Sequence, residues 1–341
     1  MNYEQEDFGK RYLWDLLPDD TVRLLRVYTQ GGEFRVPEKI EGKTVAVIGA
    51  YCFADTEHIQ GYELRESWSG EIHQSDRNSP ALAGALAGAL AGEALERLHL
   101  PDSVHTIEDL AFYNCRALKS LEIGTGIQQL GSDVFMNCSA LEEIVLRCGV
   151  EEASGAHLVL SRISAEILVH FLGGEAAVEA KLLYPEYLES YDEIAPAHIF
   201  GRNITGEGFR ARQLFAEGVV QIARYDEIFD KIVAEESPLT SGRMALMRLL
   251  YPVGLKEEKR EQYQQHIQKN ALTVAKYYME RRDLMTLQKM CEQAYLSGTD
   301  LEEAIQYCIS KEWGEGSAAL LSWKQKYDGV GRENRYSFEE W

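Results

Sequence analysis

The chain holds many residues able to do chemistry, but their spacing does not assemble them. Its eight histidines stand at 58, 73, 99, 105, 157, 170, 198 and 266. None falls in H-E-x-x-H, the spacing that puts two imidazoles and a carboxylate on one helical face around zinc. Six cysteines occur (Cys52, Cys115, Cys138, Cys148, Cys291 and Cys308) without a C-x-x-C pair, so no thiolate metal site is indicated. No G-x-S-x-G elbow presents a nucleophilic serine. Gly124-Thr125-Gly126 opens like a phosphate-cradling loop, but no G-K-[ST] follows. The carboxylate pairs Glu142-Glu143, Glu151-Glu152, Glu235-Glu236 and Glu302-Glu303 are sequence neighbours, which a helix or a strand points apart. They read as solvated surface. Catalysis, a metal and a cofactor are therefore not expected.

Charge narrows the partners. The net charge is −20, with 55 acidic and 35 basic residues. Such a field repels the phosphates of nucleic acid and of anionic membranes, and it permits a basic protein partner. Arg210-Ala211-Arg212 and Arg281-Arg282 are too few for a nucleic-acid stripe. The first residues, Met1 to Asp7, are polar and acidic, with no basic segment leading into an apolar run, so a secretory signal is not expected. No stretch reaches the ~20 apolar residues of a membrane helix, so membrane insertion is not expected. The chain reads as cytoplasmic, with its cysteines as free thiols. Oligomeric state is left open.

The elements are set by a pattern written twice and begun a third time. Leu95 to Pro101, Leu118 to Ile123 and Leu141 to Leu146 recur with a shift of 23 residues. Val104 and Ile107 match Ile127 and Leu130, and Ala111-Phe112-Tyr113-Asn114-Cys115 matches Val134-Phe135-Met136-Asn137-Cys138. A period in the twenties headed by L-x-x-L-x-L is the signature of a leucine-rich repeat solenoid, in which each coil buries the leucines of the one before it. Leu98 and Leu100 face inward by strand alternation, and Arg97 and His99 face outward. Phe112 and Phe135 are placed to form a second buried column. Asn114 and Asn137 are read as bonding backbone groups at the turn between coils.

The run from Leu98 to Leu146 resembles the BspA-type leucine-rich repeat family of bacteria, which carries a hydrophobic-Pro step, a short spacer, then A-F and a terminal N/G-C. A fainter copy lies at Val36-Pro37-Glu38 and Val47-Ile48-Gly49-Ala50-Tyr51-Cys52-Phe53, with five more residues between its Pro and its Ile. The resemblance covers about residues 22–57 and 93–147. It implies a binding or scaffold role without catalysis, often on cell surfaces. A cytoplasmic reading departs from those surface members.

The fold class expected is α+β: a short β-rich solenoid followed by an all-α array of helical hairpins. Residues 1–57 would hold a cap and the first repeat, with Trp14, Leu16 and Leu17 over the open end. Residues 58–92 would be a low-complexity insert ending in a four-residue repeat, Ala81 to Gly92. Residues 93–160 carry the repeats, with Leu158-Val159-Leu160 as a last strand. In the linking segment 161–207, residues 161–171 suit a helix or a strand, 175–183 a helix, and 184–207 a loop. From 208 to 328 helical periodicity predicts helices over 208–218, 225–235, 242–251, 257–281, 283–295, 300–311 and 317–327, with a tail over 329–341.

Two function classes follow. The first is a protein-binding scaffold using the outward side of the stacked strands, where Arg97, His99, Ser120, Glu122, Glu143 and Val145 recur, or the helical array. The second is a regulatory or accessory subunit with a small-molecule or enzymatic site in residues 184–210, because functional groups concentrate on loops.

Overall fold

A computed structural model describes residues 9–69, 88–174, 177–194 and 199–333. The chain divides into two units, one running to Tyr225 and one starting at Asp226.

The first unit is mostly strand. In chain order it contains β1 (Lys10–Leu16), β2 (Val22–Tyr28), β3 (Glu33–Arg35), β4 (Lys39–Ile40), β5 (Lys43–Ile48), β6 (Arg65–Ser69), β7 (Arg97–His99), β8 (Thr106–Ile107), β9 (Ser120–Ile123), β10 (Gln129–Leu130) and β11 (Glu143–Leu146). There follow α1 (Ala156–Leu160), β12 (Ile167–Leu172), β13 (Val178–Tyr184), β14 (Leu188–Ile194), β15 (Ile199–Thr205), α2 (Gly208–Ala211), β16 (Phe215–Ala216) and β17 (Val219–Val220). The short helix α3 (Ile222–Glu227) runs into the second unit.

The coils that begin with β3, β7 and β9 each contribute one strand to each of two sheets. One sheet runs β13-β12-β11-β9-β7-β3, and the other β10-β8-β5-β2-β1-β6. From β3 to β12 the first sheet is parallel and in register, so Phe34, Leu98, Leu121, Ile144 and Val169 fall in one inward column. All five are at most 3% exposed. The step of 23 residues is kept from Leu98 through Leu121 to Ile144, and it lengthens before Val169 because the intervening stretch folds α1. A second column stacks Phe53, Phe112 and Phe135, with successive ring centroids 5.5 Å apart and planes within 11°.

The faint N-terminal copy is a true coil. Arg35 pairs with His99, Ile48 with Ile107, and Phe53 stacks on Phe112. Its additional residues form β4, which pairs back on β5 through a turn at Glu41-Gly42 with positive φ at both residues. β1 lies antiparallel on β2 and closes that end of the core with Trp14, 3% exposed, whose indole donates to Ser67 Oγ at 2.8 Å. Leu16 and Leu17 are only half-buried. Within the segment 58–92, β6 pairs with β1, and Ile59, Tyr62, Trp68 and Ala89 pack on Leu13, Leu25 and Tyr28. Leu90 is buried, its N–H donating to Val27 O at 2.8 Å. These parts belong to the core; residues 70–87, with Leu82 and Leu86, lie outside the described residues.

Beyond the repeats, several expected elements change type. Residues 156–160 are helix rather than a last strand; the last parallel strand is β12. Residues 178–184 are strand β13 rather than helix, antiparallel on β12. Ala180, Leu182 and Tyr184 face the core at strand spacing, and the edge left by β12 supplies the hydrogen bonds. The segment 184–207 is not a loop, because β14 and β15 pair over their whole length. The helix expected over 208–218 stops at Ala211, and β16–β17 follow as a hairpin around Glu217-Gly218. Both turn residues have positive φ, as the tightest hairpin turn requires.

The second unit is helical: α4 (Phe229–Glu235), α5 (Pro238–Leu250), α6 (Glu257–Glu280), α7 (Leu284–Glu292), α8 (Gly298–Ser310) and α9 (Gly314–Glu333). The helix expected from Gly242 starts earlier, at Pro238, because Ser237 caps it by accepting from Thr240 N at 3.0 Å. Asp283 caps α7 by accepting from Thr286 N at 3.0 Å, whereas at α8 Ser297 holds the N-cap position without a side-chain bond and Asp300 lies in the first turn. Three helices end alike. Arg282, Ala294 and Glu312 have φ between 53° and 55°, and the next residue's N–H returns to the carbonyl five residues back. This is the left-handed C-cap arrangement that glycine usually serves. The unit also holds a buried polar cluster. Arg248, fully buried, donates from Nε and Nη2 to the two oxygens of Asp226 at 2.7 and 3.0 Å, and Tyr263 Oη donates to Asp226 Oδ1 at 2.8 Å.

Candidate protein-binding face

The in-register sheet fixes what lies opposite its leucines. One outward row runs Glu33, Arg97, Ser120, Glu143, Leu168, and the next runs Arg35, His99, Glu122, Val145, His170, Lys181. The six residues picked out from sequence thus stand side by side on β7, β9 and β11. Their exposure is uneven. Arg97 and Glu143 are 60% and 45% exposed at the side chain, whereas Glu122 is 16% exposed.

Glu122 is the hub of the face. One of its oxygens lies 2.7 Å from His99 Nδ1, and the other accepts from Arg147 Nη1 at 2.6 Å. Arg35 Nη1 approaches to 3.9 Å. The hydrogen bond from His99 first, and then that from Arg147, outweigh the opposing effect of burial and bring its carboxyl down to about 2. His99 bridges coils as well, with Nε2 3.3 Å from Glu33 Oε1. Arg147 donates onward to Asp102 Oδ1 at 2.8 Å and to Leu100 O, tying the three coils together. At the far end of the row burial, reinforced by Lys181, pushes the His170 imidazole down to about 3, so it is neutral at pH 7. The face therefore passes from a cross-linked charged half on β3, β7 and β9 to a more apolar half formed by Val145, Leu168 and a neutral histidine.

Sequence reading missed Glu33, Arg35, Arg147 and His170. Arg147 was within reach, since it shares the parity of Glu143 and Val145 on the same strand path. Glu33 and Arg35 were recoverable from the Val36-Pro37 match to Leu100-Pro101. His170 was hidden by the lengthened coil.

Other sequence features have structural roles. Asn114 and Asn137 do not bond backbone at the turn through their side chains; they form a ladder, Asn137 Nδ2 donating to Asn114 Oδ1 at 2.7 Å and Asn114 Nδ2 to Asp55 Oδ2 at 2.9 Å. Both adopt positive φ, which asparagine tolerates better than most residues. Gly124 and Gly126 lie where a Cβ would collide with Asp102 of the preceding coil, so the Gly-Thr-Gly turn serves close stacking of coils. Cys115 and Cys138 are free thiols donating to Phe53 O and Phe112 O, each at 3.1 Å. In the helical unit His266 Nε2 lies 3.0 Å from Ser241 Oγ, but that hydroxyl donates its proton to Ser237 O at 2.8 Å. The pair joins α5 to α6 and lacks the proton geometry of a nucleophile and its base. Within 184–210, Glu189, Arg202 and Tyr191 satisfy one another on the exposed β14–β15 hairpin. Among the described residues no three histidine, cysteine or acidic side chains gather as a metal site. None of their helices is long and apolar enough to cross a membrane.

The family comparison agrees with the repeat pattern. The family model described as the BspA type leucine rich repeat region (6 copies) matches residues 87–162. No curated protein matches the chain. Two solved structures show similarity. One is the T. pallidum leucine rich repeat protein, at 20% identity and a TM-score of 0.26, over 39% of this chain and 49% of that one. The other is a leucine rich cell surface protein from Faecalibacterium prausnitzii A2-165, at 19% identity and a TM-score of 0.27, over 42% of this chain and 32% of that one. The chain thus spans less than half of either. The family match thus falls on the coils that carry Leu98, Leu121 and Ile144 in 23-residue register, and a helical C-terminal part follows them in the chain.

Proposed function

We propose that the chain is a non-catalytic protein-binding scaffold, and that its recognition surface is the outward face of the parallel sheet around Arg97, His99, Ser120, Glu122, Glu143 and Val145. The observation carrying this reading is the common register of β3, β7, β9, β11 and β12, which holds these side chains on one support. Cross-links through Glu122 and Arg147 restrict several of them in advance, which lowers the ordering cost of binding. A net charge of −20 favours encounter with a basic protein. The same reading takes the chain as cytoplasmic, where free thiols such as Cys115 and Cys138 stay reduced.

The geometry selects the test. Reversing Glu122 would strand His99 and Arg147, so the informative variant is Arg97→Glu with Glu143→Arg, at two exposed positions. Such substitutions shift stability by ~0.5 kcal/mol or less. Immobilised wild-type chain is exposed to lysate of the source organism, and retained proteins are compared with those on the double variant. The expected outcome is loss of specific proteins at unchanged circular dichroism, by ~1 kcal/mol or more in affinity if these side chains are hot spots. Identical retention would assign binding elsewhere.

A further inference from the structure

The β14–β15 hairpin stands apart from both solenoid sheets. Its two strands pair with each other from Leu188–Thr205 to Ile194–Ile199, and they form a sheet of their own. The described side chains near its base are exposed on both faces. Leu188 and Ser190 on one face, and Glu189 and Tyr191 on the other, are exposed, as are Arg202, Asn203, Ile204 and Thr205 across from them. Leu188 and Tyr191 are each 63% exposed. A two-stranded ribbon is marginal in water, and its edges carry backbone donors and acceptors that template another strand.

The two edges differ in charge. β14 carries Glu189, Asp192 and Glu193 within seven residues. Two copies of it laid antiparallel would set carboxylates against carboxylates. β15 (sequence IFGRNIT) carries no carboxylate and a single cation, Arg202. In a chain of net charge −20 this is a segment that a second copy can approach without like charges meeting.

We infer that β15 is a self-association edge, pairing antiparallel with β15 of a second copy of this chain to make a four-stranded sheet with β14 strands outermost. A two-fold axis at Asn203 sets Arg202 opposite Ile204 of the second copy, and Gly201 opposite its Thr205. On one face of the combined sheet the sequence across strands becomes Tyr191, Arg202, Ile204, Glu189, by the register of each hairpin. Within each copy Arg202 already holds Glu189, through Nε to Oε1 at 2.6 Å and Nη2 to Oε2 at 3.0 Å. Its charge is thus partnered before the copies meet. The surface is self-complementary, as a two-fold interface requires. The added strand gains backbone hydrogen bonds along the edge. The outer β14 edges keep their carboxylates, which stops growth beyond two copies.

The experiment is sedimentation equilibrium of the full chain over a wide concentration range, for wild type, Ile204→Pro and the double variant Ile204→Lys/Thr205→Lys. The proline removes one edge donor, while the lysines charge the edge at side chains already exposed. Wild type is expected to approach twice the monomer mass. Each variant is expected to dissociate at concentrations roughly tenfold higher or more, a step of about 1.4 kcal/mol. Amide exchange of β15 in wild type should slow as concentration rises. Circular dichroism of the lysine variant, which leaves the β14 pairing intact, keeps the test decisive if the proline variant misfolds. A wild type that is monomeric throughout, or a dimer that survives in the folded lysine variant, overturns the inference.

Discussion

At the centre of the solenoid lie Phe34, Leu98, Leu121, Ile144 and Val169, a column apolar from end to end, with the polar ladders kept to the turns and the outer face. At the centre of the helical unit lies an ion pair, Arg248 with Asp226, completed by Tyr263 and the carbonyls of Tyr251 and Val253. The difference follows from what each architecture repeats. A coil is positioned by the backbone of its neighbour, so the column along its strands needs only volume and hydrophobicity. Helices exchange no backbone bonds, so a directional side-chain network can fix how they pack. The solenoid should accordingly tolerate changes of interior shape better than the helical unit tolerates loss of one polar partner.

That contrast can be broken by substitution. Asp226→Ala leaves Arg248 buried without its anion and should cost ~3–5 kcal/mol in urea denaturation. Leu121→Ala, in the middle of the apolar column, should cost ~2–5 kcal/mol and fall toward the lower end if neighbouring coils close the cavity. If Asp226→Ala proves the milder of the two, the ion pair is dispensable to the helical unit and the contrast fails.

Acid sharpens it next. The Glu122 carboxyl is held at about 2 against an ordinary 4.5, so its folded form binds its proton less readily than the unfolded chain does. Its contribution is present above about pH 4.5 and is lost as pH falls toward about 2. Glu122→Gln should remove that segment of the pH dependence, so wild-type and variant melting temperatures converge on acidification. Parallel curves down to about pH 2 would show that Glu122 does not stabilise the outer face.

The smallest effect concerns the helix ends. Ala294 holds a left-handed C-cap with φ of 55°. Ala294→Gly relieves that conformation, and after the unfolded-state entropy of glycine is counted it should raise stability by ~0.5 kcal/mol, read as a small increase in melting temperature. A decrease would mean that the alanine methyl is packed more tightly than the backbone is strained.

How much of this was legible in the sequence differs between the two units. Wherever side-chain type repeats at a fixed step, as at Leu98, Leu121 and Ile144 or at Phe112 and Phe135, register follows from sequence, and so does the outward placement of Arg97, His99, Ser120, Glu122, Glu143 and Val145. Legibility stops where an element depends on an edge left by another. Val178–Tyr184 carries apolar residues that suit either a helix or a strand, and only β12 beside it decides. The β14–β15 hairpin mixes charged, aromatic and apolar residues without regular alternation in sequence. The cluster around Glu122 was half legible: its strand neighbours recur by period, but Arg147 reaches it from beyond the repeated motif.

The coil that buds out β4 has a consequence for the order of events in folding. Leu98 and Leu121, or Leu121 and Ile144, meet after closing loops of 23 residues, whereas Phe34 meets Leu98 only after a loop of 64. Closure entropy grows with the logarithm of loop length, so the longer loop costs about 0.9 kcal/mol more. The coils of β7, β9 and β11 therefore have the kinetic advantage as a nucleus, and the N-terminal coil docks onto an edge that already exists. Run backwards, the same ordering makes β3 the first strand to peel away when the protein opens locally. It would take Glu33 and Arg35 from the recognition face while the other strands of that face stay assembled.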